Sequence, residues 1–362
     1  MKKAQNKGLI LVNLGSPDSY QVKDVRKYLR QFLMDENVID VPYAVRKVIV
    51  EGFILPFRPA KSAEAYSTVW TPDGPPLKVI TEQFKKNIED KINMPVKVAM
   101  RYGNPSPADA VKELLNINPD LSDILIAPLY PHYAMSSFGT ALDFTLESVK
   151  KLAPTASVHV LKPFFNEENY IKSLAASIAP YLEQSYDHLL FSYHGLPERH
   201  LKKTDPTGAH CMQSLTCCET PSQAWDTCYR HQVKTTTNLV AKALRLPPEK
   251  FSVSFQSRLG RDPWLQPFTD LKFKEMPSQG IKKLLVVCPA FVADCLETLE
   301  EISIRGKESF LESGGTNFTS IPCLNTSSAW ITTFSDYINH YDDQYAHYWK
   351  TLSAPQHAKS VY

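Results

Sequence analysis

Three segments hold residue types that could do chemistry together. In FSYHGLPERH, His194 follows an apolar run and precedes Gly195 and Pro197. An imidazole on such a turn titrates near neutral pH, and its neutral ring nitrogen can take a proton or bind a metal. A hydrogen-bonded structural histidine is the plain alternative. In VVCPAFVADCLETLEEI, a helix starting at Asp294 places Asp294, Glu297 and Glu301 at i, i+3 and i+7, on one face. Carboxylates gathered there repel, so one holds its proton more tightly or the group draws in a divalent cation. A solvated acidic face is the alternative, but Cys295 and the apolar lead-in at 289–291 turn this end toward protein or ligand. The third segment carries Cys211, Cys217, Cys218 and Cys228 within eighteen positions, spaced C-x5-C-C-x9-C. That spacing lacks the paired C-x2-C of zinc sites and matches no common ferredoxin pattern. A metal cluster, a zinc ion using His210 or His231, and free thiols all remain open from spacing alone.

Two weaker candidates accompany these. His132, in APLYPHYAMSSFG, also follows a strand-like run but reads as structural. FQSRLGRDPWLQPFTD carries Trp264 and Phe268 on a Gly/Pro-rich loop, where aromatics could wall a flat apolar molecule. NLGSPDS follows the first apolar run but lacks G-x-G-x-x-G. P-loop, G-x-S-x-G and H-E-x-x-H patterns are absent as well, so ordinary nucleotide, serine-hydrolase and zinc-protease chemistry lose support.

These residues must be positioned by alternating strands and helices. Strand-like runs fall at 8–14, 96–101, 124–129 and 158–161, then at 188–193, 251–256, 284–288 and 318–321. Helix-like periodicity occupies 22–32, 77–92, 108–115, 170–182, 233–244 and 294–310. Continuous apolar strands alternating with helices predict parallel sheets covered on both faces. Irregular strand spacing and a helix-like tail after Asn325 favour two open sheets over one barrel. In such sheets ligands meet the carboxyl ends of the strands, where His194 falls. Residues 41–70 interrupt the pattern with Val48, Ile49, Val50, Phe53, Ile54, Leu55 and Phe57, edged by Arg46, Lys47, Arg58 and Lys61. An apolar segment with cations suits an amphipathic ligand bearing carboxylates, or a membrane surface; a buried helix is the alternative.

The chain has 362 residues, enough for two domains, and 40 basic against 38 acidic residues. That balance gives no electrostatic footprint for nucleic acid. No apolar run is long enough to span a bilayer, and the stretch after the first lysines is too short for a signal core. A cytoplasmic location is expected, with the seven cysteines reduced there.

Together, NLGSPDS, PLYPHYAMSSFGT, SYHGLPERH, FQSRLGRDPWLQPFTD and CPAFVADCLETLEEI resemble the ferrochelatases, in order and spacing, over about residues 8–330. The resemblance implies an α/β fold of two Rossmann-like domains, each a four-stranded parallel sheet flanked by helices, with a cleft between them. It divides the chain into residues 1–162 with an active-site lip at about 41–70, residues 163–322 with the Cys-rich insertion at about 204–228, and a helical extension at 323–362 packing back on the first domain. It implies insertion of Fe²⁺ into protoporphyrin IX to give protohaem in haem biosynthesis. His194 matches the family's active-site histidine and Glu297 its partner carboxylate, both also iron ligands. Asp294 and Glu301 match acidic positions on an iron path. Leu14, Arg58, Trp264 and Phe291 match neighbours of the porphyrin. Cys295 stands where many relatives have a second histidine, and Arg305 replaces an acidic residue of some relatives. Some bacterial members hold a [2Fe–2S] cluster on four cysteines from an internal insertion, which assigns Cys211, Cys217, Cys218 and Cys228 to one.

The partners implied are porphyrin and haem, with no nucleic acid. Peripheral contact with the inner membrane through the lip, and a monomer or a homodimer, are both compatible with the resemblance. The alternatives are a coproporphyrin ferrochelatase, a haem- or iron-binding sensor on the same fold, and a chelatase for a cobalt-type tetrapyrrole. Intact His194 and Glu297 disfavour the sensor, and the lip and Trp264 disfavour the cobalt chelatase.

Overall fold

The structure is a computed structural model and describes residues 6–260 and 262–352. Its strands are β1 (Lys7–Gly15), β2 (Val96–Tyr102), β3 (Asp123–Pro128), β4 (Ser157–Leu161), β5 (His188–His194), β6 (Phe251–Gln256), β7 (Lys283–Val287), β8 (Asn317–Ser320) and β9 (Trp349–Leu352). The chain forms two compact units. Of the described residues, the first comprises 6–130, 135–163 and 331–352, and the second 131–134 and 164–330.

In the first unit the strand order is β2-β1-β3-β4-β9. The first four are parallel, and β1 pairs on both sides, with β2 and β3. Leu9, Ile10, Leu11 and Val12 are wholly buried, as expected of a strand covered on both faces. The second unit is a four-stranded sheet, β6-β5-β7-β8, parallel throughout. One face of it packs Leu190, Val286 and Phe318 against Phe273, Ile302 and Phe310. Gly306 allows this closeness, because a Cβ there would lie 2.6 Å from the Phe273 ring.

All eight sequence-expected strands are present. The tail differs from its expected helical character. Among its described residues only Ser328–Asn339 is α-helical, and β9 then pairs antiparallel with β4, with Val158 opposite Leu352. Tyr341, Tyr345 and Trp349 recur at helical spacing and are all buried, so their period misleads. Covering an otherwise open edge of β4 outweighs local periodicity. Residues 353–362 of the expected extension lie outside the described residues.

The acidic segment also differs from expectation. Asp294 precedes the helix rather than opening it, and Glu297–Gly306 is a π-helix continued by the α-helix Lys307–Glu312. Asp294 Oδ1 accepts the Thr298 hydroxyl at 2.8 Å, and Oδ2 accepts the Asn325 amide at 2.7 Å. These bonds anchor the chain ahead of the first turn, so Asp294 does not share a helical face with Glu297 and Glu301. A π-helix inside a longer helix often marks a functional site.

Candidate active site

β5 is buried until its last residue, and His194 emerges half-buried at the carboxyl edge. Its register partner is Gln256 at the end of β6. The chain turns at Gly195, whose amide donates to the Gln256 carbonyl at 2.6 Å. A Cβ on Gly195 would lie 2.9 Å from that oxygen and 3.3 Å from the Trp264 ring, so the close approach requires glycine. Pro197 then bridges to Trp264, and Leu265 N–H donates to the Leu196 carbonyl at 3.0 Å. The indole N–H donates to the Leu259 carbonyl at 3.0 Å. The tryptophan loop is thereby laid along the histidine turn. Phe291 adds a second ring, with its centroid 6.4 Å from that of His194.

The imidazole's tautomer follows from its partner. Nδ1 of His194 lies 2.6 Å from the Gly195 carbonyl oxygen. A carbonyl only accepts, so Nδ1 carries the proton and the neutral ring keeps its lone pair on Nε2. The His194 backbone carbonyl accepts the Tyr229 hydroxyl at 2.9 Å.

Both carboxylate oxygens of Glu301 accept from Ser257. Ser257 N–H donates to Oε1 at 2.9 Å, and the Ser257 hydroxyl donates to Oε2. Ser257 adopts φ 61°, a left-handed conformation uncommon outside glycine. Burial pushes the Glu301 carboxyl above its ordinary range; the Ser257 hydroxyl and His194 oppose this, and the charge of Glu297 adds to it. Glu301 thus lies within electrostatic reach of both His194 and Glu297. Gln256 ties them to the sheet. Its amide donates to the Glu297 backbone carbonyl at 3.4 Å, and its side-chain oxygen accepts the buried Ser192 hydroxyl at 2.6 Å. Arg305 forms a bidentate pair with Glu300 at 2.7 and 2.9 Å. Cys295 is buried, and burial followed by the charge of Glu297 raises its thiol well above its ordinary value.

Six of the expected residues therefore belong to the second unit and gather at or behind its sheet's carboxyl edge: His194, Trp264, Phe291, Glu297 and Glu301, with Asp294 behind the helix start. Leu14 and Arg58 belong to the first unit. Leu14 is half-buried near the end of β1, and Arg58 is exposed at the start of the helix Arg58–Val69. The apolar segment there runs through the π-helix Val48–Ile54, with Val50 and Leu55 buried and Phe53 and Phe57 70% and 76% exposed. Arg46 is buried and donates to the Ile39 and Val41 carbonyls, each at 3.1 Å.

The four cysteines of the insertion are all buried. The Cys218 thiol lies within hydrogen-bonding reach of Cys228 and Cys217, and Cys228 within reach of Cys211. The hydrogen bond to Cys211 comes first among the causes that push the Cys228 thiol up to about 12. Asp205 organises the loop. Burial disfavours its charge, but the amides of Cys211 and His210 and the Thr207 hydroxyl outweigh this and hold its carboxyl far below the usual range. His210 Nε2 lies 2.7 Å from the Cys217 carbonyl, and His231 Nδ1 2.7 Å from the Cys218 carbonyl, so both nitrogens act as donors. Among the described residues, no group of three or more His, Cys, Asp or Glu side chains is disposed to hold a metal ion.

His132 is a core histidine. Burial pushes it down to about 3, and its Nε2 lies 2.9 Å from the Thr236 hydroxyl. Sequence reasoning missed Tyr229, Gln256 and Ser257. The last two stand in the quoted FQSRLG segment, whereas Tyr229 has only its place beside Cys228 to mark it.

A sequence profile of the ferrochelatase family matches residues 6–341. The chain is 48% identical over 333 residues to the ferrochelatase of Opitutus terrae, covering 90% of this chain and 95% of that one. It is 47% identical over 325 residues to the ferrochelatase of Pseudomonas entomophila, covering 89% and 96%. Among solved structures, SirB from Bacillus subtilis with Fe³⁺ superposes with a TM-score of 0.53 at 11% identity, covering 94% of this chain and 97% of that one. That likeness is one of fold. Over nearly its whole length, and with the histidine turn, tryptophan loop and acidic π-helix meeting at one sheet edge, the chain belongs to the ferrochelatase family.

Proposed function

We propose that the protein inserts Fe²⁺ into protoporphyrin IX and releases protohaem and two protons, with His194 and Glu297 as the reacting groups. The observation that carries this reading is the tautomer of His194, whose Nδ1–H goes to the Gly195 carbonyl so that Nε2 keeps its lone pair, together with the charge interaction of Glu301 with both His194 and Glu297. A planar porphyrin points four nitrogens inward and keeps two N–H protons. Binding energy from the rest of the ring can hold it bent, which turns nitrogen lone pairs toward one face. His194 Nε2 and the Glu297 carboxylate then divide two tasks, taking the pyrrole protons and offering a ligand to the entering iron. Glu301, kept closer to neutrality by burial, suits a relay that alternates between holding a proton and meeting a cation. Asp294 would have to exchange its Thr298 and Asn325 donors to serve the same path. Leu14, Arg58, Trp264 and Phe291 are carried over as porphyrin neighbours.

The choice of ring rests on the resemblance of DCLETLEEI to protoporphyrin-using members and on the apolar surface at 48–57. Protoporphyrin IX carries two propionates and coproporphyrin III four. In an anaerobic assay with each ring, insertion is expected to be at least tenfold more efficient, in kcat/KM, with protoporphyrin. Equal rates, or a preference for the tetracarboxylate ring, would overturn this choice.

We further propose that Cys211, Cys217, Cys218 and Cys228 hold a [2Fe–2S] cluster. Four buried thiols linked in a chain of contacts, Cys217 to Cys218 to Cys228 to Cys211, are the donor set such a cluster needs. A two-iron cluster takes its thiolates as two pairs, so three ligands around one ion-sized point are not required. When bound, the group would supply a one-electron centre and a four-point staple; iron insertion itself changes no oxidation state. Protein purified without oxygen is expected to be brown and to carry two irons and two acid-labile sulfides per chain. A colourless preparation with one equivalent of zinc would refute it.

A further inference from the structure

Tyr229 lies outside the reacting pair and is placed to control it. It opens the helix Tyr229–Ala243 directly after Cys228, so it is covalently joined to one of the four thiols. Its hydroxyl donates to the His194 carbonyl at 2.9 Å. Its ring is 4% exposed and meets His132 edge-on, with centroids 5.9 Å apart. The accepting carbonyl belongs to the peptide that joins His194 to Gly195, whose N–H is held by the Gln256 carbonyl at 2.6 Å. Both polar ends of that peptide are therefore fixed, one by the neighbouring strand and one by Tyr229. The next carbonyl, of Gly195, takes the His194 Nδ1 proton at 2.6 Å. With the first peptide plane fixed, only the φ and ψ of Gly195 stand between it and the second carbonyl, which holds the tautomer and aim of the imidazole.

We propose that Tyr229 is a positioning residue for His194, and that through the Cys228–Tyr229 linkage it ties the four-thiol segment to the catalytic turn. The proposal rests on the reading of His194 as a reacting group. A buried carbonyl that loses its donor shifts to recover one. Displacements well under an ångström at a reacting group are costly to rate.

Tyr229→Phe keeps the ring and removes only the hydroxyl. It is expected to lower kcat for Fe²⁺ insertion about tenfold, with the porphyrin KM within about twofold of wild type. Iron and sulfide content should be unchanged. Amide hydrogen exchange across 192–196 should rise, because the His194–Gly195 peptide has lost one of its two anchors. Cys217→Ser, which disturbs the thiol group without touching Tyr229, should raise exchange over the same residues. In the double variant, kcat should fall no further than in the worse single one. Unchanged kcat and exchange in Tyr229→Phe would overturn the proposal, and so would multiplied losses in the double variant. Should Tyr229→Phe fail to fold, exchange in Cys217→Ser decides: unaltered protection at 192–196 overturns the tie. Normal turnover by His194→Ala would instead defeat the reading of the site, while the exchange data would still report the hold of Tyr229 on the turn.

Discussion

His194→Ala is expected to bind porphyrin about as tightly as wild type and to lose iron insertion by about a hundredfold to ten-thousandfold, the range typical of a positioned acid–base group. The separation follows from where the side chain sits. The imidazole occupies the end of β5, while the rings of Trp264 and Phe291 come from other segments and do not depend on it for their place. Alanine leaves the turn intact, because Gly195 still bonds to Gln256 and Leu196 to Leu265. Binding is read from quenching of protein fluorescence on porphyrin titration, and insertion from the rate of haem formation without oxygen. Near-normal turnover would remove His194 from the reaction. Loss of binding together with turnover would make it a wall of the porphyrin site.

Glu297→Gln should cost nearly as much, about a hundredfold or more in kcat, since glutamine keeps the shape but neither accepts a proton nor carries charge. It also has a consequence at Glu301. Burial is the main reason that carboxyl holds its proton above the ordinary range, and the charge of Glu297 adds to it. A carboxyl whose folded pKa is raised stabilises the fold fully below its unfolded pKa, and that contribution is lost as pH rises through the folded value. Removing Glu297's charge lets folded Glu301 ionise at lower pH, so the loss of stability still begins near the unfolded pKa but ends at lower pH and is smaller in the variant. Urea midpoints measured between pH 4 and 8 test this. A variant whose stability limb matches wild type would separate the two carboxylates electrostatically.

Much of this was legible in the residues themselves. Uninterrupted apolar runs such as GLILVNL and HLLFSY declare buried parallel strands, and the residue that follows each is at the ligand edge. That reasoning puts His194 at the carboxyl end of its strand, where β5 ends. It failed where long-range bonds overrule local period. Asp294 sits at helical spacing from Glu297, yet Thr298 and Asn325 draw it ahead of the helix. The tail's aromatics repeat every four residues, yet Trp349 and Leu352 serve an edge strand of the first sheet. Arg46 reads as a surface cation, but two loop carbonyls bury it. Tyr229 acts on a residue 35 positions away through a backbone carbonyl, and a backbone acceptor leaves no trace in residue types.

The most direct test is a crystal structure of the protein with a metal-free porphyrin bound. The account requires the pyrrole nitrogens to lie with His194 Nε2 and the Glu297 carboxylate on one side of a non-planar ring, each within reach of its centre. A flat ring seated elsewhere, or an imidazole turned away from Glu297 with the ring in place, would contradict it.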